Sequence, residues 1–152
     1  MNAAAPLSPV ASLRIADWPE AQSLVMPLRL EVFVDEQGVP PDIEQDEYDP
    51  VSRHAIAADA GGAVIGTGRL LPDGHVGRMA VAAHARGRGV GAAVLAALLA
   101  EAARRGSSRA VLHSQVSAEG FYARYGFRRS GGVFMEAGIA HIIMERPLDP
   151  PA

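Results

Sequence analysis

The sequence has no cysteine, and every one of its 14 Lys-plus-Arg cations is an arginine. Without cysteine there are no disulfides, no thiolate metal sites and no cysteine nucleophile, and the redox compartment is left undetermined. Without lysine there is no Schiff-base nucleophile, and no P-loop, whose terminal lysine holds the phosphates. An all-arginine bias fits a GC-rich genome. Long apolar runs are also missing: Val90 to Ala100 is the longest, far short of the roughly 20 residues a membrane span needs. Met1 to Pro9 lacks the charged start and apolar stretch of a signal peptide. There is no basic surplus either, and a net charge of −3 argues against phosphate-backbone binding. A cytoplasmic protein with neither a membrane nor a nucleic-acid partner is expected.

What is present fits one domain. A length of 152 residues with 49% apolar and 20% charged residues suffices for a proper core. Pro- and Ala-rich ends mark residues 1–9 and 149–152 as flexible and leave 10–148 as the domain. Leu13 and Ile15 alternate with polar neighbours as in a short strand. Asp17 is a good N-cap for a helix with Pro19 early in it, which Pro27 should kink or break. Gly38 to Pro50 carries Asp42, Glu44, Asp46, Glu47 and Asp49 and reads as an acidic, solvated loop. His54 to Ala58, Ala63 to Leu71 and His75 to Val81 are three strands turning at Gly61-Gly62 and Asp73-Gly74. Val90 to Arg105 is the clearest helix, with Val94, Leu95, Leu98 and Leu99 on one face. A strand at Ala110 to His113 and a short helix from Ser117 to Tyr125 follow. The chain closes with a hairpin from Phe127 to Glu145 turning at Ala137-Gly138. Such mixing implies an α/β sheet, part parallel and part antiparallel.

The most informative stretch is Arg86-Gly87-Arg88-Gly89-Val90-Gly91-Ala92, between a strand and the long helix. Glycines let the backbone approach a ligand, and the first helical turn offers unpaired N–H groups and a positive dipole end. The pattern points to a pyrophosphate cradle built from backbone. Gly87, Gly89 and Ala92 also fit the dinucleotide spacing, but that fold needs an acidic residue after the next strand, where His113, Ser114 and Gln115 stand. Too few residues remain for its second half.

Arg86-x-x-Gly89-x-Gly91 after Met79-Ala80-Val81 resembles the acetyl-CoA signature of the GNAT-type N-acetyltransferases. Phe121-Tyr122-Ala123-Arg124-Tyr125-Gly126-Phe127 resembles that family's second block. Glu31-Val32-Phe33-Val34-Asp35-Glu36-Gln37 and Gly138-Ile139-Ala140-His141-Ile142 are similar to the ElaA-like subgroup. Ala83 and Gln115 depart from the commoner Pro and Asn. The resemblance covers about Leu13 to Leu148. It implies a single GNAT-like α/β domain, a mixed twisted sheet of about six or seven strands flanked by helices and splayed between the fourth and fifth strands. It further implies acetyl-CoA as acyl-donor substrate, no metal, and an amine acceptor, small molecule or peptide. Met79, Ala80 and Val81 would grip the pantetheine through backbone groups. Amides from Gly87, Arg88, Gly89, Val90, Gly91 and Ala92 would hold the pyrophosphate beside Arg86, with Gln115 and Tyr125 lining the channel.

Amide formation from a thioester needs a neutral amine, a stabilised oxyanion and a proton for the departing thiolate. At pH 7 a lysine-like amine is neutral in about one molecule in a few thousand, so a base must act. A backbone N–H from the Met79–Val81 strand is the natural oxyanion donor. Tyr122 is the candidate proton donor, the role its family counterpart commonly has, with a phenol expected to ionise near pH 10. Glu36 is the candidate base. His54, His113 and His141 read as structural histidines in strands, and Glu136 as a solvated turn residue. Arg69 and Arg78 on neighbouring strands are candidates for an acceptor carboxylate, whereas the acidic loop would suit a cationic acceptor. A catalytically inactive acyl-CoA-binding sensor and an RNA-binding domain are the alternative readings, and assembly as a homodimer is left open.

Overall fold

Residues 8–149 are described in the computed structural model of the chain. Of the ends expected to be flexible, residues 1–7 and 150–152 lie outside the described residues. Seven strands form one sheet in the order β1-β2-β3-β4-β5-β7-β6. They are β1 (Ser12–Asp17), β2 (Arg53–Ala58), β3 (Val64–Leu70), β4 (His75–Val81), β5 (Arg109–Gln115), β6 (Arg128–Glu136) and β7 (Ile139–Pro147). Only β4 and β5 run parallel, joined by a crossover through a helix as parallel neighbours require. The helices are α1 (Trp18–Arg29), α2 (Pro41–Glu44), α3 (Val90–Arg104) and α4 (Glu119–Arg124). This is the expected mixed α/β sheet.

Helix α3 buries Val90, Val94, Leu95, Leu98 and Leu99 against the sheet, as its apolar spacing predicts. Its closeness depends on two glycines of β3. A Cβ at Gly66 would lie 2.5 Å from Val90 Cγ1, and one at Gly68 2.6 Å from Leu98 Cδ1. No side chain fits there, so the helix seats directly on the strand and its first turn is fixed beside the end of β4.

Two local expectations are corrected. Asp17 occupies the N-cap of α1 but makes no capping bond, because its carboxylate is drawn 2.5 Å to Arg53 on β2. Pro27 does not break the helix: α1 runs through it to Arg29 and continues as a π-helical segment, Leu30–Glu36. The widened ladder is visible in Gln37 N–H bonding to Val32 O at 3.1 Å.

The acidic stretch is only partly solvated: Asp42 and Glu47 are exposed, while Glu44 and Asp49 are buried. Arg29 on α1 is 1% exposed, and Glu44 and Asp49 come inward to meet it at 2.6 and 2.8 Å. Arg69 on β3 bonds Asp46 at 2.6 Å and Asp49 at 3.0 Å. Arg78 on β4 bonds Asp46 at 3.2 Å and the Glu44 carbonyl at 3.1 Å. Three guanidinium groups are matched by three carboxylates. The arginines considered for an acceptor carboxylate and the acids considered for a cationic acceptor thus compensate one another. His54 packs 4.7 Å from Trp18 and bonds the Asp49 carbonyl through Nε2, the structural role expected of it.

Removing one member of a buried ionic set strands the others, so Arg29→Met should cost about 3–5 kcal/mol, read from denaturant unfolding. Acid should act in two stages. Burial holds the His54 imidazole below its usual range despite the Asp49 carbonyl. That stability is complete above about pH 6.5 and is lost as pH falls through the folded value. Burial alone would raise the Asp49 carboxyl, but Arg29 outweighs it and leaves it low. Its contribution is complete above about pH 4 and is lost only below that. Melting temperature measured from pH 8 to 3 should therefore fall in two steps, and His54→Gln should remove the upper one.

Candidate active site

The site begins where the sheet comes apart. Strands β4 and β5 pair only at His75–Val111 and Val76–Leu112. From Gly77 onward the β5-facing N–H and C=O groups of β4 have no partner strand. On the other side of β4, Thr67 pairs with Ala80 and Arg69 with Gly77, so Arg78 and Met79 together face Gly68. This is a β-bulge, and it takes a peptide out of the ladder at the splay. Arg78 sits at φ 48°, a left-handed conformation that costs a non-glycine residue about 1–3 kcal/mol. Its guanidinium contacts with Glu44 and Asp46 hold it there.

Beyond β4 lies the glycine-rich turn. Gly87 and Gly89 take φ of 75° and 84°, and a Cβ at either would meet nothing within 4 Å, so the space before the turn is open. Gly89 is the N-cap of α3, and the first helical bond is donated by the Ala93 N–H to its carbonyl. The N–H groups of Val90, Gly91 and Ala92 precede that bond and have no carbonyl one turn back within the helix. Geometry and chemistry suit a diphosphate.

Between the splayed strands opens a cavity of about 680 Å³, lined among others by Met79, Arg78, Tyr122, Gln115, His113 and Glu136. Tyr122, on α4, packs edge-on against Phe121 and Phe127 at ring distances of 5.1 and 5.9 Å. Burial pushes its phenol up to about 12, above the ordinary value near 10 expected from sequence. Gln115 donates to Gln37 Oε1 at 3.0 Å, tying β5 to the end of the π-helical segment. Tyr125 is half-exposed, with its ring 5.2 Å from Phe121.

Glu36 does not line this cavity. Its carboxylate closes on Arg86 at 2.8 Å, while the Arg86 Nε donates to the Val81 carbonyl at 3.0 Å. Glu36, expected as the base, is thus paired with the cradle arginine. The cradle itself, Gly87 to Ala92, is not part of the cavity lining, but Gly91 faces Phe121, the neighbour of Tyr122 on α4.

Three cavity residues read from sequence as structural or solvated come together. His113 Nδ1 lies 3.0 Å from Glu136 Oε1, and His141 Nε2 lies 3.6 Å from Glu136 Oε2. The register explains this: Gln115 pairs with His141 across β5 and β7, and Phe134 pairs with His141 across β6 and β7. No local signal in the sequence reports a pairing of strands so far apart. Among the described residues no group of three or more His, Cys, Asp or Glu is placed to hold a metal ion. No helix among them is long and apolar enough to cross a membrane.

Residues 19–148 match the family model of the acetyltransferase (GNAT) domain. The uncharacterized N-acetyltransferase YjcF of Bacillus subtilis is 39% identical over 121 residues, 77% of this chain and 86% of that protein. The crystal structure of an acyl-CoA N-acyltransferase from Pseudomonas aeruginosa is similar at 30% identity with a TM-score of 0.80, over 89% of this chain and 98% of that one. Escherichia coli ElaA is similar at 25% identity and TM-score 0.80, over 89% and 99%.

The cradle has a direct test. Gly89→Asp meets no steric obstacle, and Asp tolerates a left-handed backbone better than most residues, so the variant should fold at a cost of about 1 kcal/mol. Acetyl-CoA at about 100 times its dissociation constant should stabilise the wild type by about 2.7 kcal/mol. The variant, with a carboxylate facing the pyrophosphate, should lose that stabilisation in thermal melts and its heat of binding in calorimetry. Normal binding by a folded variant would place the cofactor elsewhere.

Proposed function

The chain belongs to the GNAT acetyltransferase family and is an acyltransferase of the acyl-CoA-using kind; from that premise we propose that it moves an acetyl group from acetyl-CoA to a primary amine by direct attack on the thioester. The observation that carries this reading is the placement of Tyr122 in one cavity with the splayed, bulged end of β4.

Each part then has a task. The unpartnered β4 backbone at Met79, Ala80 and Val81 takes the place of a sheet neighbour for the pantetheine amides. Amides of Gly87 to Ala92 bind the pyrophosphate, with Arg88 adding charge and Arg86 held in place by Glu36. Gln115 and Tyr125 border the channel. The neutral amine attacks the thioester carbon, forming the C–N bond and pushing the carbonyl pair onto oxygen. An amide of the Arg78–Met79 bulge, already fixed and needing no reorganisation, stabilises that oxyanion. Collapse re-forms the carbonyl and breaks the C–S bond, and sulfur takes the proton of Tyr122. Desolvation favours the neutral phenol, which is the form that can donate. Dependence on acyl-CoA supports the cytoplasmic location expected from the sequence.

Tyr122→Phe removes one oxygen and keeps the ring, so melting temperature and acetyl-CoA affinity should stay close to wild type. Turnover, followed as CoA release with an amine panel, should fall about 10²–10⁴-fold, the usual worth of a positioned proton donor. Because the phenol is pushed up to about 12, the wild-type rate should show no tyrosine limb at moderately alkaline pH. An undiminished rate in the folded variant would remove Tyr122 from the reaction.

A further inference from the structure

We propose that His113 is the general base that takes the proton of the incoming ammonium, and that Glu136 is the positioning residue that fixes its tautomer. This rests on the amine-transferase reading above and takes for the base a residue that lines the cavity, which Glu36 does not.

The ring of His113 is held on several sides. Glu136, at the tip of the β6–β7 hairpin, places Oε1 3.0 Å from Nδ1. A carboxylate only accepts, so Nδ1 carries the hydrogen and the neutral imidazole keeps its lone pair on Nε2. Phe134 on β6 and His75 on β4 bracket the ring edge-on at 5.2 and 6.0 Å. His75 is itself 2.9 Å from Asp73, and His141 on β7 reaches the second Glu136 oxygen at 3.6 Å. His141 has its own tautomer fixed, since Nδ1 lies 2.7 Å from the Ile139 carbonyl and must donate to it. Glu136 is thus held by His113, and the hairpin that carries it is tight enough to force Ala137 to φ 52°. His113 is 38% exposed by its side chain and lines the cavity shared with Tyr122 and the β4 bulge. A neutral imidazole nitrogen is a stronger proton acceptor than a carboxylate.

Protons balance over the cycle. Nε2 of His113 removes one proton from R–NH3⁺, and the freed nitrogen pair forms the C–N bond. The nitrogen of the intermediate gives up a second proton, which replaces the one that Tyr122 delivers to sulfur. His113 returns its proton to solvent, so amide, CoA thiol and one proton leave.

The test has an arm that needs no turnover. In nitrogen-edited NMR spectra of the histidine rings, neutral His113 should be the Nδ1–H tautomer, and Glu136→Ala should abolish that preference. An Nε2–H tautomer in the wild type overturns the proposal. The kinetic arm compares primary alkylamines, cationic at pH 7, with arylamines already neutral there. His113→Asn should lower kcat/KM about 10²–10⁴-fold for the alkylamines and less than about 10-fold for the arylamines, with unchanged acetyl-CoA affinity and melting temperature. Equal losses for both, or no loss, overturn the base while leaving the transferase reading in place. Wild-type protein that binds acetyl-CoA and acetylates neither class overturns the transferase reading, and the base assignment with it.

Discussion

A guanidinium buried to 1% exposure sets the terms for half of this molecule. Taking Arg29 out of water costs several kcal/mol unless its donors and charge are met in place. Glu44 and Asp49 meet them, and in doing so pull the segment after the π-helical turn back over the sheet. The same two acids and Asp46 then serve Arg69 and Arg78, so one demand made on α1 is answered by a chain of contacts ending on β4. Without Arg29 the loop has no reason to lie where it does. Without the loop, Arg78 has nothing to hold its side chain.

That last link joins stability to chemistry. A bulge with a left-handed arginine is unfavourable by itself, and Arg78 persists at φ 48° because the Glu44 carbonyl and Asp46 fix the guanidinium. The bulge sits where β4 loses β5, so the ionic set acts on the backbone that borders the cavity. An amide proposed to meet a developing oxyanion is useful only if it does not relax away, and under that proposal the ion pairs supply the rigidity from outside the reaction.

How much of this was legible follows the range of each interaction. Helix α3, the turns and the final hairpin are written locally, in apolar spacing and in glycine, and their expected places match the structure to within a few residues. The glycine-rich turn and the Tyr122 block were likewise local, and the family they resemble is the family to which the chain belongs. The acidic segment misled because its charges read as solvated until Arg29, Arg69 and Arg78 are seen to converge on them. The pairing of Glu36 with Arg86 was hidden for the same reason, since the two lie fifty positions apart. His113, Glu136 and His141 each looked ordinary, since only the insertion of β7 between β5 and β6 brings them to one face.

The glycine-rich turn and the cavity are built from different materials. At the start of α3 the free groups are backbone amides with open space before two glycines, a chemistry suited to a diphosphate. In the cavity the groups are side chains, and four of the charged ones, Arg69, Arg78, Glu44 and Asp46, are already matched, two positive and two negative. Those four carry no net charge. The other charged pairs lining it are Asp73 with His75, where β4 and β5 still pair, and Glu136 with His113. Both pairs join a carboxylate to an imidazole. For the proposed amine acceptor, a carboxylate beside a neutral imidazole offers both attraction for the ammonium and a nitrogen able to take its proton. Under that proposal attraction and deprotonation come from one pair of side chains.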